Sequence, residues 1–258
     1  MVHQAQDGLS EVALGERTAL LLVARALAGL AAAALALLPT PIMRERYTAP
    51  AYDAVWLWAG VESQPALASA RRLYLLQGQV GHDAPVRLTA QRAAVPRLGN
   101  REVWMVVRVE TLDWPPFVYD QFLAALGRWR AAGNHVVGVQ IDFDAGTKNL
   151  GNYAAFLRGL RARLPADCKL GITGLLDWSA NGDPAGLDAL AGVVDEAVLQ
   201  IYQGRHVIPG YQAYVAKLGR LKMPFRIGLL QGGEWSPPPG LDTNPNFRGY
   251  VTFLINQP

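Results

Sequence analysis

The 258-residue chain holds one cysteine, Cys168, so no intramolecular disulfide can form in any redox compartment. Its four histidines fall at no metal-ligand spacing, so neither a bound metal nor metal catalysis is expected. No glycine-rich phosphate loop is present, and no cofactor is expected. Charged residues make up only 17% of the chain and the net charge is +3. No long basic run interleaved with aromatics occurs, so nucleic acid is not an expected partner, and Arg158, Arg161 and Arg163 read as the solvated face of one predicted helix. No repeat recurs at a fixed period, which sets solenoid architectures aside.

What is abundant is apolar surface. Hydrophobic residues are 51% of the chain, enough to fill one large α/β domain. Residues 18–38 form an apolar segment long enough to cross a bilayer, interrupted by Arg25. As a signal peptide, Arg17 and Arg25 supply its positive region and Ala34-Leu35-Ala36 a cleavage site; as an anchor, Arg25 snorkels to the cytoplasmic headgroups. Either reading predicts a hydrophobic helix and export, to the periplasm or to the inner membrane facing it. Residues 1–40 are therefore read as signal peptide or membrane anchor, with membrane contact if uncleaved, and 41–258 as the folded domain.

Within that domain, apolar strand-like runs lie at 54–58, 72–76, 103–109, 136–142, 169–174, 196–202, 225–230 and 250–255. Helical patterns at 119–132, 153–164, 187–194 and 211–221 alternate with several of them. Alternation of this kind predicts parallel strands with right-handed crossovers, and eight of them predict a (β/α)8 TIM-type barrel of the α/β class. The outer layer is expected to be trimmed, because Pro96 interrupts 88–98 and 232–249 is rich in glycine and proline. An open sheet is the alternative.

The run Gly138-Val-Gln-Ile-Asp-Phe-Asp144 carries the most chemical information. Side chains alternate along a strand, so Gly138, Gln140, Asp142 and Asp144 share one face and Val139, Ile141 and Phe143 the other. The first face turns acidic toward its C-terminal end, where parallel barrels carry their chemistry. Other predicted strand ends add Trp58, Glu110, Asp177, Trp178, Gln200, Tyr202, Glu234 and Trp235. Tryptophan faces stack on sugar C–H surfaces while carboxylates and amides bond hydroxyls, so an oligosaccharide or polysaccharide is the expected partner. Two carboxylates one strand repeat apart disfavour double ionisation, giving an acid beside a charged partner, as glycosidic cleavage requires. Glu110 has a plainer alternative role as an ion-pair partner of Arg108 or of another barrel cation.

The same run is similar to the fourth-strand signature of glycoside hydrolase family 18, D-G-x-D-x-D-x-E. Gly138 falls on the glycine, Asp142 on the last aspartate and Asp144 on the acid glutamate, while Val137 and Gln140 replace two aspartates. Tyr202, in Leu199-Gln-Ile-Tyr, falls on that family's sixth-strand tyrosine. The order of Tyr52-Asp-Ala-Val-Trp56, the 138–144 run, Tyr153-Ala-Ala-Phe-Leu157, Leu170-Gly-Ile-Thr173 and Val194-Asp-Glu-Ala-Val-Leu-Gln200 resembles the bacterial domain-of-unknown-function family 3142. These resemblances imply a glycoside hydrolase acting on a polysaccharide, one containing N-acetylhexosamine in the chitinase-like case. Asp144 is then the general acid, Asp142 orients the substrate's acetamido group and Tyr202 bonds its oxygen. For a sugar without an acetamido group the second carboxylate comes from Glu110, Glu234 or Asp177. A non-catalytic, lectin-like barrel and an envelope scaffold are the alternatives.

Overall fold

The computed structural model describes residues 53–92 and 94–256. The predicted leader at 18–38 lies outside them, and among the described residues no helix is long and apolar enough to cross a membrane. The first half of the domain contains β1 (Ala54–Leu57), α1 (Pro65–Ser69), β2 (Arg72–Val80), β3 (Leu88–Ala90), β4 (Glu102–Val109), α2 (Pro116–Ala131), β5 (His135–Asp142) and α3 (Leu150–Arg161). The second half contains β6 (Lys169–Leu175), α4 (Trp178–Asn181), α5 (Pro184–Ala191), β7 (Glu196–Gln200), β8 (Tyr202–Gln203), β9 (His206–Val207), α6 (Tyr211–Val215), β10 (Phe225–Leu230) and β11 (Phe247–Leu254).

β1, β2, β4, β5, β6, β7, β10 and β11 pair in parallel in that order, and β11 returns to β1 through Trp56 beside Phe253. Eight parallel strands therefore close into a barrel, which excludes the open sheet. All eight predicted strands are present. The run predicted at 196–202 is broken, however: β7 ends at Gln200, and Tyr202 opens the small β8–β9 hairpin that turns through left-handed Gly204.

The outer layer is trimmed. α2, α3 and α5 each begin three residues before the predicted position, at Pro116, Leu150 and Pro184. Proline and capping mark first turns that apolar periodicity alone does not: Pro116 and Pro184 occupy the starts of α2 and α5, and Asp183 accepts from the Gly186 amide at 2.7 Å. The pattern at 211–221 splits into α6 and a 3-10 turn at Leu218–Arg220. The proline-interrupted stretch after β2 supplies β3, which pairs antiparallel with β2, and 232–249 contains one 3-10 turn.

Strand alternation divides the apolar residues into two layers. Outward residues such as Met105, Val139, Ile141 and Leu199 join the helices in one cluster, where α2 presents Val118, Phe122, Ala125 and Trp129 at helical spacing. Inward residues form the second, led by Trp56, Tyr74, Trp104 and Phe253. Trp56 stacks on Phe253 with centroids 5.1 Å apart, and Tyr74 on Trp104 at 5.6 Å. Trp104 lies over two glycines: an added Cβ at Gly138 meets its ring at 2.8 Å and one at Gly171 meets it at 2.9 Å. Below this layer Glu196 receives Arg226 at 2.7 Å, Arg72 at 3.3 Å and the Tyr74 hydroxyl, and it plugs the N-terminal end of the barrel with buried charge.

Gly138→Ala forces its methyl into both Trp104 and the Lys169 carbonyl, so this variant is expected to lose about 1–3 kcal/mol, as for an overpacked core. Gly127→Ala, on the open face of α2 with nothing near its added methyl, is expected to gain about 0.5–1 kcal/mol. Urea midpoints of the two variants check the pair. Equal effects would refute the packing account of Gly138.

Candidate functional site

A cavity of about 820 Å³ opens at the C-terminal ends of the strands. Trp58 follows β1, Arg108 ends the inward face of β4, Asp144 follows β5 and Asp177 follows β6, while Gln200 and Tyr202 close the far wall. Its size falls within the roughly 300–1,000 Å³ of small-molecule sites.

Arg108 organises the acidic side. It is the register partner of Asp142 across β4 and β5, which brings its guanidinium to both carboxylates. Nη1 lies 3.2 Å from Asp142 Oδ2 and Nη2 lies 2.6 Å from Asp144 Oδ2. The other oxygen of Asp142 accepts from Thr173 Oγ1 at 2.6 Å. Asp142 is 0% exposed and does not line the cavity, whereas half of the Asp144 side chain is open to solvent. Burial pushes the Asp142 carboxyl above the usual carboxylate range, with Asp144 adding to the effect and Arg108 and Thr173 opposing it. Arg108 loses solvation as well, but the two carboxylates outweigh that loss and hold its guanidinium above its ordinary range.

Asp142 and Asp144 do meet at one spot, yet with a shared cation between them. Direct repulsion is a smaller influence on Asp142 than burial. The expected Arg108–Glu110 pair does not form: Glu110 accepts instead from Gln79 Nε2 at 2.7 Å and borders a separate, smaller cavity. Sequence reasoning passes over Thr173 and gives Arg108 Glu110 as partner in place of the two aspartates. The signal for Arg108 was available, since alternation from Trp104 and Val106 points it inward beside the acidic end of β5.

The other expected binding residues divide. Trp58, Asp177, Gln200 and Tyr202 line the cavity. Gln140 is fully buried beneath it and accepts from Trp56 Nε1 at 2.8 Å. Trp178 is a packing residue rather than a sugar platform: it is 1% exposed and donates to the Ala145 carbonyl at 2.8 Å, pinning the loop that carries Asp144. Trp235, 2% exposed, stacks on Tyr211 at 5.3 Å, and neither it nor Glu234 borders the cavity.

Two polar groups in the wall are poised without partners among the described residues. The Tyr202 hydroxyl is buried with no hydrogen bond; burial, then Asp142 and Asp144, push it well above the usual phenol range, so it stays a donor. One oxygen of Asp177 is enclosed and unbonded, and burial raises its carboxyl, with a hydrogen bond from its own backbone opposing the effect. Among the described residues no cluster of histidine, cysteine and carboxylate groups could hold a metal ion.

The fold is thus an eight-stranded parallel barrel with two acidic residues at the end of a central strand. Residues 99–215 match the family model "Domain of unknown function (DUF3142)". The match spans β4 through α6 and includes Arg108, Asp142, Asp144, Asp177 and Tyr202. No curated protein matches the chain. Among solved structures, a chitinase-like lectin from tamarind is similar at 13% identity and TM-score 0.50, over 78% of this chain and 94% of the lectin. The chitinase domain of the spore coat protein CotE from Clostridium difficile is 13% identical, with a TM-score of 0.46, over 74% and 68%. A GH128 curdlan-specific exo-β-1,3-glucanase from Blastomyces gilchristii is 15% identical, with a TM-score of 0.41, over 79% and 90%. The likeness to the lectin is one of fold alone, a barrel of the TIM type.

Arg108→Leu leaves Asp142 buried and uncompensated. The expected cost at neutral pH is about 3 kcal/mol, the low end for a broken buried pair because 26% of the arginine side chain is in solvent. Burial raises the folded-state proton affinity of Asp142 above its unfolded value, and losing Arg108 raises it further. The folded variant is therefore favoured at low pH and penalised as pH rises through its folded pKa. Urea midpoints of variant and wild type should converge from pH 7 toward the ordinary carboxylate range; a gap independent of pH would refute the assignment.

Proposed function

We propose that the cavity binds a polysaccharide strand and that the protein is a glycoside hydrolase. The observation that carries this reading is the buried, unpartnered Tyr202 hydroxyl in the wall of a cavity that also presents carboxylates, amides and the Trp58 ring. A buried donor without an acceptor costs free energy that a ligand oxygen recovers, and a sugar hydroxyl or acetamido oxygen is such an acceptor. Trp58 supplies an apolar face, with Gln200 and Gln203 as donor and acceptor pairs for neighbouring hydroxyls. The exported location expected from residues 18–38 is part of the proposal, because envelope and extracellular polysaccharides would be met there.

The surroundings of the carboxylates support a revised division of labour. The chitinase-like pattern makes Asp144 the acid and Asp142 its partner. Arg108 instead compensates Asp144, while burial favours the protonated form of Asp177. Two carboxyl groups in unlike environments suit two roles. Asp177 donates the proton to the leaving glycosidic oxygen, and Asp144, as carboxylate, stabilises the developing positive charge or activates water. Asp142 acts through Arg108 and Thr173 as a positioning residue.

A second reading, a carbohydrate-binding barrel without turnover, is favoured by one observation: Arg108 engages both acidic side chains of the strand. Release of reducing ends from a panel of bacterial and fungal polysaccharides separates the two. For the hydrolase, Asp177→Asn should lower kcat by about 10²–10⁴ and remove the alkaline fall of the pH profile, since an acid must keep its proton to act. Tyr202→Phe should chiefly weaken substrate binding, by about tenfold for one hydrogen bond. Glycan binding with no turnover in any of these proteins would leave the lectin reading.

A further inference from the structure

The bulge in β2 and the short strand that follows it build a second polar cavity onto the first. The β2–β4 register shifts between Leu76 and Gly78, a bulge that turns the end of β2 as it meets β3. Gly78 permits the approach, because a Cβ there would meet the Thr89 carbonyl oxygen at 2.5 Å. The β3 side of this extension is tied to α2, where Gln121 Oε1 accepts from the Leu88 amide at 3.0 Å. Between the extension and the end of β4 lies a cavity of about 280 Å³. Gln79 and Gln91 line both this cavity and the main one, so the two share a wall.

That wall has a defined polarity. Carboxylate oxygens accept, so Glu110 Oε1 draws Gln79 Nε2 to 2.7 Å; the Gln79 carbonyl then turns toward Gln91 and accepts its Nε2 at 3.0 Å. The relay orients Gln91 and leaves its Oε1 and the second N–H of each amide for a ligand. Amide pairs held in this way match the adjacent hydroxyls of a sugar ring. Asp83, Arg87 and Thr89 extend the polar lining on the far side, and no aromatic ring borders it.

We propose that the two cavities are consecutive binding positions for one glycan chain, with Gln79 and Gln91 as the sill that reads hydroxyls between them. The preferred ligand is then an oligomer long enough to cross the sill, rather than a mono- or disaccharide. This rests on the carbohydrate reading of the main cavity and adds chain length and direction to it, running from Trp58 toward Glu110.

Calorimetric titration of the full-length protein with β-1,4-linked N-acetylglucosamine and β-1,3-glucan oligomers, from dimer to octamer, tests the proposal. Wild-type affinity should keep rising beyond the length that fills the main cavity. Gln91→Ala, at an exposed position on the shared wall, should remove that late gain, roughly tenfold, and weaken the dimer by less than the longer oligomers. Trp58→Ala should weaken every length alike. Identical length profiles for Gln91→Ala and wild type, or no gain beyond the dimer, would overturn the extended site while leaving the main cavity intact. Oligomer binding untouched by Trp58→Ala would overturn the reading of the main cavity instead, and no binding of either series would overturn both.

Discussion

Closure of the barrel is the constraint on which the other features depend. β1 is only four residues long, yet it pairs with β2 on one side and β11 on the other, leaving the ring without a free edge. An eight-stranded ring leaves an interior just wide enough for side chains to fill. Here large aromatics fill it, and they fit because glycines stand opposite. Trp104 occupies the space above Gly138 and Gly171, and Phe253 that above Gly228. The glycine that resembles a family signature at position 138 thus has a local physical reason, the ring of a neighbouring strand.

Above that aromatic layer the interior becomes polar, and its chemistry follows from one cross-strand pair. Parallel register sets Arg108 beside Asp142, and the arginine reaches outward to Asp144 as well. Asp142 is thereby a buried carboxylate with both oxygens bonded, and its value lies in aiming the guanidinium. One of the two wall groups with unmet bonding capacity is Tyr202, carried by a small hairpin rather than by a barrel strand. Rigid strands set the charged clamp, and the β8–β9 hairpin brings a donor across to face it.

The trimmed outer layer has a counterpart at the mouth. Where the barrel pattern places a helix after β2, the chain pairs β3 with β2 and adds polar wall beside the cavity. The covering work falls to α2, α3 and α5, whose buried stripes meet the outward faces of the central strands. At the opposite end, Glu196 with Arg72, Arg226 and Tyr74 plugs the barrel, so charge is buried at the floor as well as at the mouth.

Much of this is legible in the order of the amino acids alone. Strand alternation places Gly138, Gln140 and Asp142 inward, runs of β-branched and aromatic residues mark the eight strands, and proline and glycine mark where helices are missing. These are local properties, written in periods of two and of about 3.6 residues. The partners across space are not legible there. That Arg108 takes Asp142 and Asp144 while Glu110 takes Gln79, that Trp178 and Trp235 pack while Trp58 faces the cavity, and that Glu234 lies off its lining all depend on strand register and loop path. Those are settled when the ring closes and each long side chain takes the one space left to it. The sequence by itself determined which residues could form strands and which face each would present. Tertiary structure decided which of those faces meet, because hydrogen-bond register and packing join positions that no local pattern relates.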